Sequence, residues 1–260
     1  QSEGSTGEEF ARNWMHVGMV NVAETTEDGE EIERKMSKSL GNFWTTRDVL
    51  SGFYPEAIRY FMHTTQYRQP ITYSVDNLEQ ATNRIQYLYN TLRRIDDTLA
   101  LAGYDAIDEV PDAELVEGRT ETVEQFISEF DDALADDFNT PRALAAISDV
   151  AKVANEMTES GDEPSADQAY TLARIAGDLR TAGSILGVLQ HDPVEALEDL
   201  KQLRAKAYDL DVAEIDELVE RREKAREEQN WKEADAIRDK LAEMGVEIMD
   251  SAEGSEWRFE

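Results

Sequence analysis

Seven apolar residues, Leu78, Ala81, Ile85, Leu88, Leu92, Ile95 and Leu99, recur at alternating spacings of three and four. On an α-helix this pattern keeps one apolar seam on one side, and that seam must be covered by other elements. Ser74 stands where an N-cap is needed. Three further amphipathic runs supply the cover. After a break over 103–118 containing Gly, Pro and Asp, a second helix carries Val123, Phe126, Ile127, Phe130 and Leu134. Thr140-Pro141 reads as the N-cap and N1 pair of a third, with Leu144, Ile147, Val150, Ala154 and Met157. Gly161 to Pro164 breaks it, and a fourth from Ser165 places Leu172, Ile175, Leu179, Leu186 and Leu189 inward. Four such helices with modest connections pack as an up-and-down bundle.

The flanks differ in texture. Ahead of the bundle, Trp14 to Val22 reads as a strand. Asp28-Gly29 marks a hairpin tip, and Ile32 to Lys35 forms the second arm. Helix-like stretches follow at Thr46–Leu50 and Pro55–Thr65, the latter with Ala57, Ile58, Phe61 and Met62 on one face. Behind the bundle, Asp192-Pro193 starts a charged connector helix to about Leu210. A small module then has one helix with Ile215, Leu218 and Val219 and another with Trp231, Ala234, Ile237 and Leu241. Gly245 is a helix stop, and VEIMD and EWRF flank a turn as a terminal hairpin. The expected fold is mainly α with small α+β parts, divided at 1–73, 74–191, 192–212 and 213–260.

The chain has 260 residues, with 57 acidic against 26 basic, a formal net charge of -31. Such a surface repels nucleic acid at ordinary salt. Two readings compete: an acidic protein that avoids nucleic acid, or a haloarchaeal-type protein working where the Debye length falls to ~3 Å at 1 M salt. The acid excess is spread over the whole chain and lysines are few, which favours the second. Cysteine is absent and the three histidines, His16, His63 and His191, show no ligand spacing, so no metal site is expected. No apolar run approaches the ~18 residues needed to span a bilayer, so no membrane role is expected and a cytoplasmic location fits. The chain opens at Gln1 with a stretch that is neither basic nor apolar, which suggests a piece of a longer protein.

The chemistry concentrates at Lys35-Met36-Ser37-Lys38-Ser39, followed by Leu40-Gly41-Asn42. Lys35 and Lys38 place two ammonium charges where a polyphosphate could lie. Ser37 and Ser39 add hydroxyl donors, and Gly41 lets the backbone turn. Such charges matter most as a pyrophosphate leaves. A second constellation lies in the terminal module, where Arg226, Trp231, Asp235, Arg238 and Asp250 combine a stacking ring, two guanidinium forks and two carboxylates. That set could read unpaired bases. Taken singly, Asp235 and Arg238 could also be a helix-surface ion pair and Trp231 could be core.

The KMSKS string is the second signature of class I aminoacyl-tRNA synthetases. With FARNWMHVGMVNV before it, DVLSGFYPEAIRYFMHTTQYRQPITYSVDNLEQA after it, DDFNTPRALA in the bundle, and RREKAREEQNWKEADAIRDKLAEMGVEIMD and GSEWRF at the end, the whole chain resembles cysteinyl-tRNA synthetases. The resemblance implies that residues 1–73 are the end of a class I catalytic domain with its stem-contact region, 74–191 a DALR-like anticodon-type bundle, and 213–260 an anticodon-binding module. It implies ATP-dependent activation of cysteine to cysteinyl-adenylate and transfer to tRNA(Cys), with ATP and Mg2+ at the catalytic centre. Lys38 would be the ATP-contacting residue, assisted by Lys35, with Ser37 and Ser39 in the ATP-binding loop. Arg226, Asp235 and Asp250 would be candidate contacts to a GCA anticodon, with Trp231 and Arg238 beside them. The family's HIGH motif and its Zn2+ ligands are not in this sequence, so the piece alone is expected to be inactive. A monomer is expected.

Rival readings are another class I ligase, such as the methionine enzyme or the cysteine-ligating enzyme of mycothiol synthesis, a non-catalytic tRNA-binding protein built from the same domains, and a purely structural acidic bundle. The terminal module counts against the mycothiol enzyme and the intact KMSKS against the structural bundle. Trp14 and His16 read as packing residues of a strand. Asp131, Asp132, Asp136 and Asp137 read as a solvated face. Arg84, Arg93 and Arg94 read as ion-pair partners in preference to tRNA contacts.

Overall fold

A computed structural model of the chain describes residues 2–25, 31–37, 41–251 and 254–259. After a short helix, α1 (Ser2–Thr6), the backbone is irregular to Met19. The strand expected from Trp14 begins only at Val20. β1 (Val20–Thr25) lies between β2 (Glu31–Lys35), antiparallel to it, and β3 (Ile71–Tyr73), parallel to it. Gly18 marks where the chain joins this sheet. Its N–H donates to the Tyr67 carbonyl at 2.7 Å, and a Cβ there would stand 1.9 Å from the Gln69 oxygen. With only three residues, β3 is too short to show alternation. The Asp28-Gly29 tip lies outside the described residues, although the register from Asn21↔Lys35 to Thr25↔Glu31 is that of a hairpin.

Next come α2 (Thr46–Leu50), closed by a capping box between Thr45 and Asp48, and α3 (Pro55–His63), with Pro55 in its first turn. Ala57 and Phe61 are buried as expected, but Met62 is exposed, and Glu56 and Tyr60 take the buried positions instead. The reason is that α3 presents its 56/57/60/61 stripe to the next helix.

That helix, α4 (Val75–Leu101), has 27 residues, and the Ser74 hydroxyl accepts from Asn77 N–H at its start. All seven seam residues are buried. α5 (Thr120–Ala135), α6 (Thr140–Thr158) and α7 (Ala166–Leu186) complete the bundle. The N-cap of α6 is Asn139, one residue before the expected Thr140. The Asn139 side chain accepts from Arg142 N–H, and the Thr140 hydroxyl instead reaches the His63 carbonyl at 2.9 Å.

α8 (Pro193–Ala207), capped by Asp192, packs along α4, and its Ala196 and Leu200 belong to the same core as the bundle. This core runs without interruption from Tyr54 of the α2–α3 turn to Leu200. A second cluster holds Ala205, Ile215, Leu218, Val219, Ile237, Leu241 and Val246. It is built from α9 (Val212–Glu227), α10 (Trp231–Glu243) and the hairpin β4 (Val246–Ser251) and β5 (Gly254–Phe259). Gly245, at φ +72°, ends α10 as expected. A polar joint ties the two cores. Lys201 of α8 lies 3.2 Å from Asp216 of α9 and 4.1 Å from the ring centre of Trp257 in β5, whose indole N–H donates to Asp216 at 2.6 Å.

Candidate functional site

The KMSKS segment leaves the edge of the small sheet. Lys35 is the last residue of β2, paired with Asn21, and its side chain is exposed. Two residues on, Ser37 N–H donates to Asn42 Oδ1 at 2.9 Å, and Gly41 takes φ +73°. These two features close the neck of the loop at both ends. Lys38, Ser39 and Leu40 lie outside the described residues. Behind the neck, Trp44 meets Tyr73 with ring centres 6.2 Å apart. The Thr45 hydroxyl and backbone N–H hold the Asp48 carboxyl below its ordinary range. The loop is therefore mounted on a strand end and a capped helix start, with one exposed ammonium at its neck.

Beside the sheet, Phe10, Trp14, Met15, Val17, Met19, Phe43 and Trp44 are all exposed. The packing role expected of Trp14 and His16 fails within this chain. Trp14 is 67% exposed, its ring 6.0 Å from that of Phe10, and His16 is exposed as well. The physical reason is that residues 14–17 sit off the sheet and are exposed, with no element over them among the described residues.

In the terminal module, Trp231, Asp235 and Arg238 fall at i, i+4 and i+7 on α10, one exposed stripe beside the buried Ala234, Ile237 and Leu241. Trp231 is 61% exposed, which corrects its expected place among the apolar positions of that helix. Arg238 pairs with Asp235 and with Asp239, each at 3.2 Å. Exposed pairs of this kind hold by only ~0–1 kcal/mol and open at little cost. Arg226 is exposed in the last turn of α9, just before the turn that leads to Trp231. Asp250 sits in β4 with its backbone opposite Ser255, and its side chain is outside the described part.

Two polar nodes were not anticipated. Glu56 is 3% exposed yet fully occupied: it accepts from Tyr89 Oη at 2.8 Å, Leu189 N–H at 2.8 Å and Gln190 N–H at 3.1 Å, with His191 Nε2 3.8 Å away. Burial, then the charges of Glu56 and Asp199, push the Tyr54 phenol up to about 12 against its hydrogen bond with Tyr89. Burial raises Tyr89 further still. The second node corrects the reading of the aspartate run. Asp131, Asp132 and Asp136 are exposed, but Asp137, at φ +53°, takes both prongs of Arg68 (2.7 and 3.0 Å) and the Tyr67 hydroxyl (2.8 Å). These bonds pin the segment before β3 to the α5–α6 turn. Partners about seventy and more than a hundred residues apart leave no local signal in a sequence. Arg84 is a further correction, since it makes no ion pair or hydrogen bond among the described residues. Arg94 donates to the Asn155 amide oxygen at 3.3 Å, not to a carboxylate.

Among the described residues no group of three or more His, Cys, Asp or Glu side chains could hold a metal ion, so the residues present do not fit the zinc site of the resemblance. Among them, too, no helix is long and apolar enough to cross a membrane.

A loop of this kind on a small sheet, followed by a helical bundle, is the arrangement of a class I tRNA synthetase. Residues 1–83 match the class I (C) tRNA synthetase catalytic domain, 129–190 the DALR domain, and 209–258 the cysteinyl-tRNA ligase anticodon binding domain. Proteins named cysteine–tRNA ligase align with the chain end to end. That of Azotobacter vinelandii is 39% identical over 260 residues, all of this chain and 47% of that protein. That of Methylococcus capsulatus is 38% identical over 260 residues, all of this chain and 48% of that protein. That of Oleidesulfovibrio alaskensis is 34% identical over 258 residues, 99% of this chain and 50% of that protein. Along its whole length the chain is similar to these cysteine–tRNA ligases; it corresponds to their C-terminal part and spans about half of their length.

Proposed function

We propose that this chain is the C-terminal portion of a cytoplasmic, monomeric cysteine–tRNA ligase that activates cysteine with ATP and Mg2+ and transfers it to tRNA(Cys). The observation that carries this reading is the joining, in one chain, of a neck-closed KMSKS loop and a cysteinyl-tRNA ligase anticodon binding domain. Lys38, with Lys35, Ser37 and Ser39, is assigned to the phosphates of ATP. Arg226, Trp231, Asp235, Arg238 and Asp250 are assigned to the anticodon. The boundaries near 73, 191 and 212 separate these roles, and the exposed apolar face around Trp14 suits cover by the part of the relatives that this chain does not match. Zinc would serve the cysteine thiolate in that same part, with no ligand from here. The charge of -31 suits work in molar salt.

The proposal is tested on the complete protein. Lys38→Ala should slow adenylate formation by about 10²–10³-fold, as loss of one donor to developing transition-state charge does elsewhere, and leave cysteine binding little changed. An unchanged pre-steady-state rate of adenylate formation would remove Lys38 from this role.

A further inference from the structure

The α8 helix packs closely on the bundle core in its first half and opens away toward its end. Ala196 and Leu200 are buried, but Leu203 is only half-buried, Ala207 is exposed, and Tyr208 just beyond is 53% exposed. At this end lies a cavity of about 260 Å³. The first turns of α4 line it with Val75, Glu79 and Thr82 at i, i+4 and i+7, α8 with Leu203 and Ala207, and the α2–α3 turn with Phe53. An apolar cavity of about 150 Å³ takes up a benzene ring. The space here suits two fused rings.

Two charged side chains line this mostly apolar space, and they are not equivalent. Arg204 is half-buried and directs its Nη1 to Gln86 Oε1 at 3.5 Å. Glu79 accepts a single hydrogen bond among the described residues, a long one from the Tyr208 hydroxyl at 3.4 Å. A carboxylate has about four lone-pair sites, so most of its accepting capacity is unspent. The Tyr208 ring beside it offers a face that attracts cations. The formal charge of -31 over the whole chain acts in the same direction, drawing cations in and holding anions off. An apolar cavity with a carboxylate and an aromatic face in its lining, on a chain of this charge, is complementary to an aromatic ring system that carries one positive charge.

We propose that this cavity is a binding site for a small aromatic cation, with its rings against Phe53, Val75 and Leu203 and its ammonium on the Glu79 carboxylate. The site is independent of the ligase reading and uses none of the residues assigned to ATP or to the anticodon. Its occupant would brace the last turns of α8, which lead into the terminal module.

The test is amide chemical-shift mapping by NMR of the full chain, at KCl concentrations where circular dichroism shows it folded. The probes are tryptamine, its neutral analogue tryptophol and the anion indoleacetate. Tryptamine is expected to shift the Phe53, Glu79 and Leu203 amides saturably, with a Kd below about 1 mM. Tryptophol should bind there about tenfold more weakly, for want of the charge-assisted contact, and indoleacetate not at all. Glu79→Gln should bring tryptamine down to the level of tryptophol. Ala207→Trp, which fills the cavity and keeps the charge of the chain, should abolish binding of both. Shifts that scatter over the acidic surface without saturating would overturn the site, as would wild-type affinity for tryptamine in both variants. Saturable binding of indoleacetate in preference to tryptamine would overturn the cationic class of ligand.

Discussion

Glu56 shows how a single buried carboxylate organises this molecule. It ties α3 to Tyr89 of α4 and to the backbone N–H groups that follow α7, so three elements of the bundle share one acceptor. Burial first, and then the charges of Glu56 and Asp199, keep the neighbouring Tyr54 neutral, which gives a pH signature. Tyr54 ionises at about 12 in the folded chain and at about 10 when unfolded. Above pH ~10 the folded state therefore binds more protons than the unfolded state, and stability falls as pH rises. The contribution of Tyr54 is fully present below pH ~10 and is lost toward pH ~12. Urea unfolding at neutral and alkaline pH should show this decline, and Tyr54→Phe should make it shallower. An identical alkaline decline in Tyr54→Phe would remove the tyrosine from this role. At the same scale Asp137 is a carboxylate with a structural task, drawn below its ordinary range first by its hydrogen bond from Arg68 and then by that from Tyr67.

Among the elements, β3 positions the KMSKS loop more than its three residues suggest. It is the parallel neighbour of β1, and β1 carries the loop strand β2, so the loop is fixed to the bundle through Ile71–Tyr73. Gly18 is the tight point of that assembly. Gly18→Ala would set a Cβ 1.9 Å from the Gln69 oxygen and 2.2 Å from its carbonyl carbon, both backbone atoms that cannot swing aside. The expected cost is ~1–3 kcal/mol of local overpacking. Amide exchange should accelerate at Val20–Val22 and Ile71–Tyr73 while α4 stays protected, and wild-type protection of β3 would contradict this. The contrast between β3 and α4 also explains what could be read in advance. The seam of α4 repeats one physical demand seven times, and Ser74 and Ser165 cap helices by contacts three residues long, so those features are legible locally. By contrast β3 is too short for a period, and the packing of α8 on the bundle leaves little pattern, because it buries only small or widely spaced apolar residues, Pro193, Ala196, Leu200 and Ala205, among charges. Of the candidate site, the KMSKS string and the Asp235–Arg238 pair were legible because both are local, whereas the exposure of Trp231 was not.

For the molecule as a whole, two cores are joined by Lys201, Asp216 and Trp257, and an excess of 31 negative charges surrounds them. That charge forbids a broad basic footprint, so under the proposed function affinity for RNA would come from a few short-range contacts of the terminal module. Low salt also works against the fold itself, because carboxylates left unscreened repel one another. Binding is therefore meaningful only at KCl concentrations where circular dichroism shows the helices intact. Under those conditions the most direct measurement is the ratio of affinities for a tRNA(Cys) transcript and the same transcript with its GCA anticodon replaced, in wild type and in Trp231→Ala. The account predicts a clear preference of the wild-type chain for the GCA transcript, and a loss of ~1–3 kcal/mol of that binding when the stacking ring is removed. Equal affinity of the folded wild-type chain for both transcripts would contradict it.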